Sequence, residues 1–242
     1  MSKFGADATR MGLAESGDSI EDANFVSDFV NKAILRLFTQ IEWVKEILAT
    51  PKESFRTGSF EASFNDNVFA SQINQAIVLT NQAYSDMLYR EGALLDNDLC
   101  TVAKCFFFFL INFAAQKTGF FDLQAARDRY VAITSSTAEG LNYDLVLRFI
   151  EIQTLLLSPI CPHVCEYIWT KLLNKGESVL KAKFPVPGPI DQLVLAGVEY
   201  FDNLVHDLRL KKQVCAALFL RLLIAFERTS SRRASPRRAK NP

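Results

Sequence analysis

Between Phe25 and Leu48, apolar residues fall at Phe25, Phe29, Ala33, Leu37, Ile41, Val44 and Leu48. Steps of three and four gather these side chains on one face of an α-helix and would scatter them over both faces of a strand. The pattern predicts a helix that Ser19 and Asp22 can cap and that Pro51 follows. The same period recurs from about Asp66 to Tyr89, with Phe69, Ile73, Ile77, Tyr84 and Leu88 on the buried side. Two more helices are expected over Phe120–Ile133 and Tyr143–Leu157, and a short one over His163–Leu173 after Pro159 and Pro162. Ala182–Pro189 (AKFPVPGP) reads as an extended connector, because each proline lacks a backbone donor and restricts the residue before it. Ile190–Lys212 closes the series as an amphipathic helix. Alternating strand patterns are almost absent, so the expected fold class is all-α, a helical bundle.

Two segments break the pattern. Leu95–Gln116 contains four consecutive phenylalanines, which serve neither a helix stripe nor a strand alternation. Beyond Lys212 the chain passes from an apolar run into an Arg-, Ser- and Pro-rich ending too polar to bury a core. The organisation that follows is a bundle over residues 25–189 with an atypical insertion at 95–116, a C-terminal helix over 190–227 and a basic disordered tail over 228–242.

The formal charge is zero, but it is unevenly spread. Arg228–Pro242 holds six basic and no acidic residues, which leaves the rest at −6. A body of that sign would meet RNA through local basic patches rather than a global positive field. Five cysteines form an odd set, and residues 2–10 lack the apolar core of a signal peptide. Reduced thiols in a cytosolic protein are therefore expected. The most hydrophobic run, Cys105–Ala115, is about half of what a bilayer span needs, so no membrane anchor is expected.

Little of the sequence reads as catalytic. Cys161-Pro162-His163-Val164-Cys165 places three zinc-type ligands together, but no fourth ligand or second CxxC accompanies them. Small thiols on one helix face fit a core better, and no metal is expected. With only two histidines, His163 and His206, no nucleophile can be given a convincing acid–base partner. Neither a P-loop nor a GxGxxG occurs. What remains for ligand contact is a set of helical cations suited to phosphate: Arg127, Arg129, Arg148, Lys171, Arg209, Lys211 and Lys212, with Lys117, Lys175, Lys181 and Lys183 beside them.

Six blocks in order carry a family resemblance. They are FGADATR (Phe4–Arg10), SGDSIEDANF (Ser16–Phe25), AILRLFTQIEWVKE (Ala33–Glu46), KTGFFDLQAARDRY (Lys117–Tyr130), LRFIEIQTLLLSPICPHVCEYIW (Leu147–Trp169) and HDLRL (His206–Leu210). Together they resemble the helical anticodon-binding domain of class I aminoacyl-tRNA synthetases, and in particular the cytosolic, eukaryotic and archaeal type of leucyl-tRNA synthetase. The resemblance spans roughly Met1–Lys212, apart from the odd segments. It implies that residues 1–24 are the remnant of the KMSKS loop and its connecting helix. Lys3 then matches the second lysine of that loop, which steadies ATP phosphates in the complete enzyme.

Several expectations follow from the resemblance. The complete enzyme would use ATP to leucylate tRNA-Leu in the cytoplasm, with proteins of a multi-synthetase complex as further partners. This chain would bind tRNA as a domain of that enzyme and would lack the catalytic nucleotide-binding fold, needing no cofactor of its own. Removing Leu95–Gln116 would join YREGAL to KTGFFDLQAARDRY as similar enzymes have it, so the insertion reads as a retained intron. The alternatives are a non-catalytic helical module that binds tRNA or another protein, and an aberrant gene product.

Overall fold

The computed structural model describes residues 4–16, 25–59, 63–93, 115–137 and 140–234. These form seven α-helices: α1 (Ala6–Ser16), α2 (Ser27–Ala49), α3 (Phe64–Ala93), α4 (Leu123–Thr137), α5 (Tyr143–Leu157), α6 (Pro162–Tyr167) and α7 (Gln192–Ala234). The described residues include no strand; Arg56 and Asn142 form an isolated bridge. The all-α reading is correct. Lys3, the Ser19–Asp22 cap, nearly all of the phenylalanine-rich insertion and the final residues 235–242 lie outside the described residues.

The chain divides into two compact units, Met1–Gln192 and Leu193–Pro242. In the first, one core gathers Val44 and Ile47 from α2, Phe69, Ile73 and Ile77 from α3, Leu123 and Tyr130 from α4, and Phe149, Ile150 and Leu156 from α5. Phe69 stacks on Tyr130 with ring centroids 4.6 Å apart, and Trp43 meets Phe149 edge-on at 5.7 Å. A second core joins Met11, Ala33, Leu37, Phe120, Leu157, Cys161 and Cys165. Gly12 makes the α1–α2 contact possible: a Cβ there would lie 2.6 Å from Val30 Cγ2 and 3.1 Å from its Cα. Such an overlap would force the two helices apart.

Local chemistry explains the boundaries. Asn142 caps α5 by accepting from the Leu145 amide, and Asp144 adds negative charge to its first turn. α2 ends at Ala49, two residues before Pro51. A π-helical turn, Lys117–Asp122, leads into α4, and a second, Ile168–Leu172, continues α6. At the first, the carbonyl of Phe120 accepts from the side chain of Gln153 at 3.4 Å. Gly119 lets that turn approach α3 and α5, since a Cβ would sit 3.1 Å from Thr80 Oγ1 and 3.3 Å from Leu156 Cβ.

In the second unit, α7 runs unbroken for 43 residues. It passes Lys212 and continues to Ala234, so 228–234, expected as tail, is helical. The stretch past Lys212 is rich in Leu, Ala and Arg, all strong helix formers, and the first proline comes only at Pro236. No described helix is long and apolar enough to cross a membrane.

Candidate nucleic-acid interface

The expected cations divide by environment. Arg127, on α4, is only 8% exposed. Its guanidinium donates to Gln40 Oε1 at 2.8 Å and to Asp128 Oδ1 at 2.7 and 2.9 Å, and it lies 4.6 Å from the Trp43 ring centroid. The same Gln40 accepts from Gln124 and donates to Gln153 at 2.6 Å, so one polar network ties α2, α4 and α5 together. Arg127 holds the bundle.

Arg148, on α5, is half-buried and donates to Asn74 Oδ1 at 2.6 Å. Burial pulls its guanidinium below its ordinary pKa. Asn74 in turn accepts from the Gly188 amide and donates to the Pro189 carbonyl at 2.7 Å, while Ser71 accepts from the Asp191 amide. The proline-stiffened connector, 182–189, is therefore pinned at its far end to α3 and α5. Arg129 is half-buried.

Lys171 has a different setting. It is exposed in the π-turn that continues α6, and Lys175, Lys181 and Lys183 are exposed in the segment that follows. Lys175 pairs with Glu151 and lies 5.5 Å from the Trp169 ring centroid. Glu166 fastens this segment by accepting from Ser178 Oγ and the Val179 amide, both at 2.9 Å. Lys117, before α4, is exposed as well. In the second unit, Arg209, Lys211 and Lys212 are exposed on α7. Chemically, such ammonium and guanidinium groups on rigid helices fit phosphodiester oxygens, and they carry no means of reading base identity.

Two further clusters escape simple pattern reading. Asp66 is fully buried and is held by Arg56 Nη2 at 2.6 Å and by the Tyr130 hydroxyl at 2.7 Å. Tyr130 also accepts from the Asn142 amide at 3.0 Å. Burial is the main cause that pushes its hydroxyl up to about 12. The network clips the α2–α3 loop to the α4–α5 loop. Asp66 and Asn142 lie 76 residues apart, so no local pattern ties them to each other.

The second cluster joins the FGADATR block to the CPHVCEYIW block. Asp7, in the first turn of α1, accepts from His163 Nδ1 at 2.8 Å and from the Val164 amide at 2.7 Å. Val164 is the third residue of α6, so Asp7 caps that helix from another element. Cys161 Sγ donates to the Asp7 carbonyl at 3.6 Å. Cys161 and Cys165 are both buried in the second core, and burial pushes both thiols up. The ring nitrogen of His163 that pairs with Asp7 turns toward α1. No group of three or more metal-type ligands occurs among the described residues.

Residues 101–218 match the family described as the anticodon-binding domain of tRNA ligase. The relatives that the chain matches are named as cytoplasmic leucine–tRNA ligases. It is 44% identical to the cytoplasmic leucine–tRNA ligase of Pongo abelii over 209 residues, which is 86% of this chain and 15% of that protein. Against the Arabidopsis thaliana enzyme it is 37% identical over 214 residues, 88% of this chain and 17% of the relative. The Saccharomyces cerevisiae enzyme is 40% identical over 209 residues, 86% and 16% of the two lengths. The chain thus spans about one-sixth of the relatives it matches.

Proposed function

We propose that this chain is the tRNA-binding helical domain of a leucine–tRNA ligase, acting in the cytoplasm. The similarity to those ligases over 86% of the chain carries the reading. In the complete enzyme, ATP activates leucine to leucyl-adenylate, and the leucyl group then passes to tRNA-Leu. The domain contributes affinity and orientation for the tRNA body. Its phosphate contacts come from Lys171, Arg209, Lys211 and Lys212, with Arg129 at the edge of the set. Arg127 and Arg148 act indirectly, by holding α2, α4 and α5 together and pinning the connector to α3 and α5. Lys3 is reserved for the ATP phosphates of the complete enzyme, and proteins of a multi-synthetase complex are a further class of partner.

Fluorescence anisotropy with labelled tRNA-Leu and with a second tRNA tests the reading. Expected is saturable binding that weakens steeply with salt. Absence of binding to either tRNA at low salt contradicts it. The isolated chain is expected to give no leucine-dependent ATP–pyrophosphate exchange, because its described residues form only helices; clear exchange would contradict that expectation.

A further inference from the structure

The strip from Leu180 to Pro187, in the first unit, is held at both ends and left bare between them. Before it, Glu166 accepts from Ser178 Oγ and the Val179 amide, and Val179 is buried in the second core. After it, Asn74 accepts from the Gly188 amide and donates to the Pro189 carbonyl. Between these anchors Ala182 sits at φ −66° and ψ 142°, the polyproline II region, and Pro185 and Pro187 restrict the residues that precede them. A segment fixed in this way has little conformational freedom left to lose when it binds a partner.

The side chains on the strip are not covered by the bundle. Leu180 is 70% exposed, Val186 84% and Phe184 37%. The Phe184 ring meets Tyr84 edge-on with centroids 6.2 Å apart, and Tyr84 is itself fixed by donating its hydroxyl to the Leu156 carbonyl at 3.1 Å. Phe184 is thus a steadied aromatic with part of its surface in water. Lys181 and Lys183 are exposed beside it, and neither has an ion-pair partner among the described residues. From Lys171 to Pro189 the chain holds four lysines and one glutamate, a sign opposite to that of the body as a whole. Uncovered apolar side chains rimmed by unpaired cations mark a contact surface.

We propose that Leu180–Val186 binds unpaired nucleotides of RNA, with a base stacked on Phe184 and the phosphates on either side held by Lys181 and Lys183. The lysines call for an anion, and the ring calls for a flat apolar face. A single strand presents both in alternation along one chain. A duplex hides its base faces in the stack and would engage the lysines alone. Leu180 and Val186 extend the apolar surface on which neighbouring sugars and bases rest. The inference depends on the reading of this chain as a tRNA-binding domain, and it specifies which part of the tRNA the strip meets. Stacking accepts any base, so the strip adds affinity for unpaired nucleotides without selecting a sequence.

Fluorescence anisotropy of the full chain tests the proposal, using a labelled oligocytidylate, whose bases are unpaired, and a blunt RNA duplex of the same length. Phe184→Leu keeps an apolar side chain against Tyr84 and removes the ring. It is expected to weaken oligocytidylate binding about tenfold, with the slope of log affinity against log salt unchanged and duplex affinity unchanged. Phe184→Trp is expected to bind the oligocytidylate at least as tightly as the unmodified chain. Lys181→Ala with Lys183→Ala is expected to lower the salt slope by about 1 to 2. No loss in Phe184→Leu, or an equal loss on both probes, overturns the proposal. Binding of intact tRNA-Leu without binding of oligocytidylate also overturns it and leaves the domain reading standing. Binding of no RNA at all overturns both.

Discussion

Arg127 and Arg209 are the same residue type, and the chain puts them to opposite uses. Inside the bundle, Arg127 is enclosed by Gln40, Asp128 and the face of Trp43, and its charge is spent on protein groups. On α7, Arg209 is exposed within three residues of two lysines. The difference teaches that counting basic residues overstates a binding surface. A cation whose donors are already satisfied at 2.7–2.9 Å stabilises a fold, and only one still facing water can exchange counterions for phosphate.

The sharpest way to break the contrast is to remove a buried network and watch the whole bundle. Asp66→Ala leaves Arg56 and the Tyr130 hydroxyl without their shared acceptor, so a loss of about 3–5 kcal/mol is expected. Chemical denaturation followed by far-UV circular dichroism reads it. Arg127→Ala is expected to cost about 2–3 kcal/mol, because it empties the space over Trp43 and removes one of the two donors to Gln40 Oε1. Arg148→Ala costs less, about 1 kcal/mol, and its signature is local: the Gly188 and Asp191 amides exchange faster with solvent as the connector loosens.

Raising the pH probes the second core. Cys161 and Cys165 titrate higher in the folded chain than in the unfolded one, so above about pH 8.5 the unfolded chain loses protons first. The unfolded state then binds fewer protons, and stability falls as pH rises, by roughly 1.4 kcal/mol per pH unit for each thiol. The full effect is absent below the unfolded thiol pKa. Thermal melts from pH 7.5 to 10 should show this slope, and Cys161→Ala with Cys165→Ala should flatten it. A slope that survives both substitutions assigns the titration elsewhere.

Much of this architecture was legible in the residues. The α5 boundaries, Tyr143 and Leu157, follow from its apolar period, and the Phe69, Ile73 and Ile77 stripe on α3 lies where the period placed it. The α2 stripe is rotated slightly. Its buried residues are Val30, Ala33, Leu37, Gln40, Val44 and Ile47, while Phe25 is exposed and Ile41 and Leu48 are half-buried. An apolar count passes over Gln40 because its partners, Gln124, Arg127 and Gln153, lie 84 to 113 residues away. The same blindness hid Asp7, whose partner His163 is 156 residues distant. Helix period is a local property and can be read; polar satisfaction is a long-range one and cannot. For the same reason the sequence grouped Arg127 and Arg148 with Lys171 and Arg209.

We propose that the exposed cations, and not the buried ones, meet tRNA phosphate. The most direct measurement is the salt dependence of tRNA-Leu affinity for the unmodified chain and for the Lys171→Ala, Arg209→Ala, Lys211→Ala variant. These positions face solvent, so thermal stability should stay within about 0.5 kcal/mol of the unmodified chain. The slope of log affinity against log salt should fall by roughly 2 to 3, close to one for each phosphate that is no longer neutralised. An unchanged slope in that variant, with a reduced slope in folded Arg127→Ala, would contradict the account.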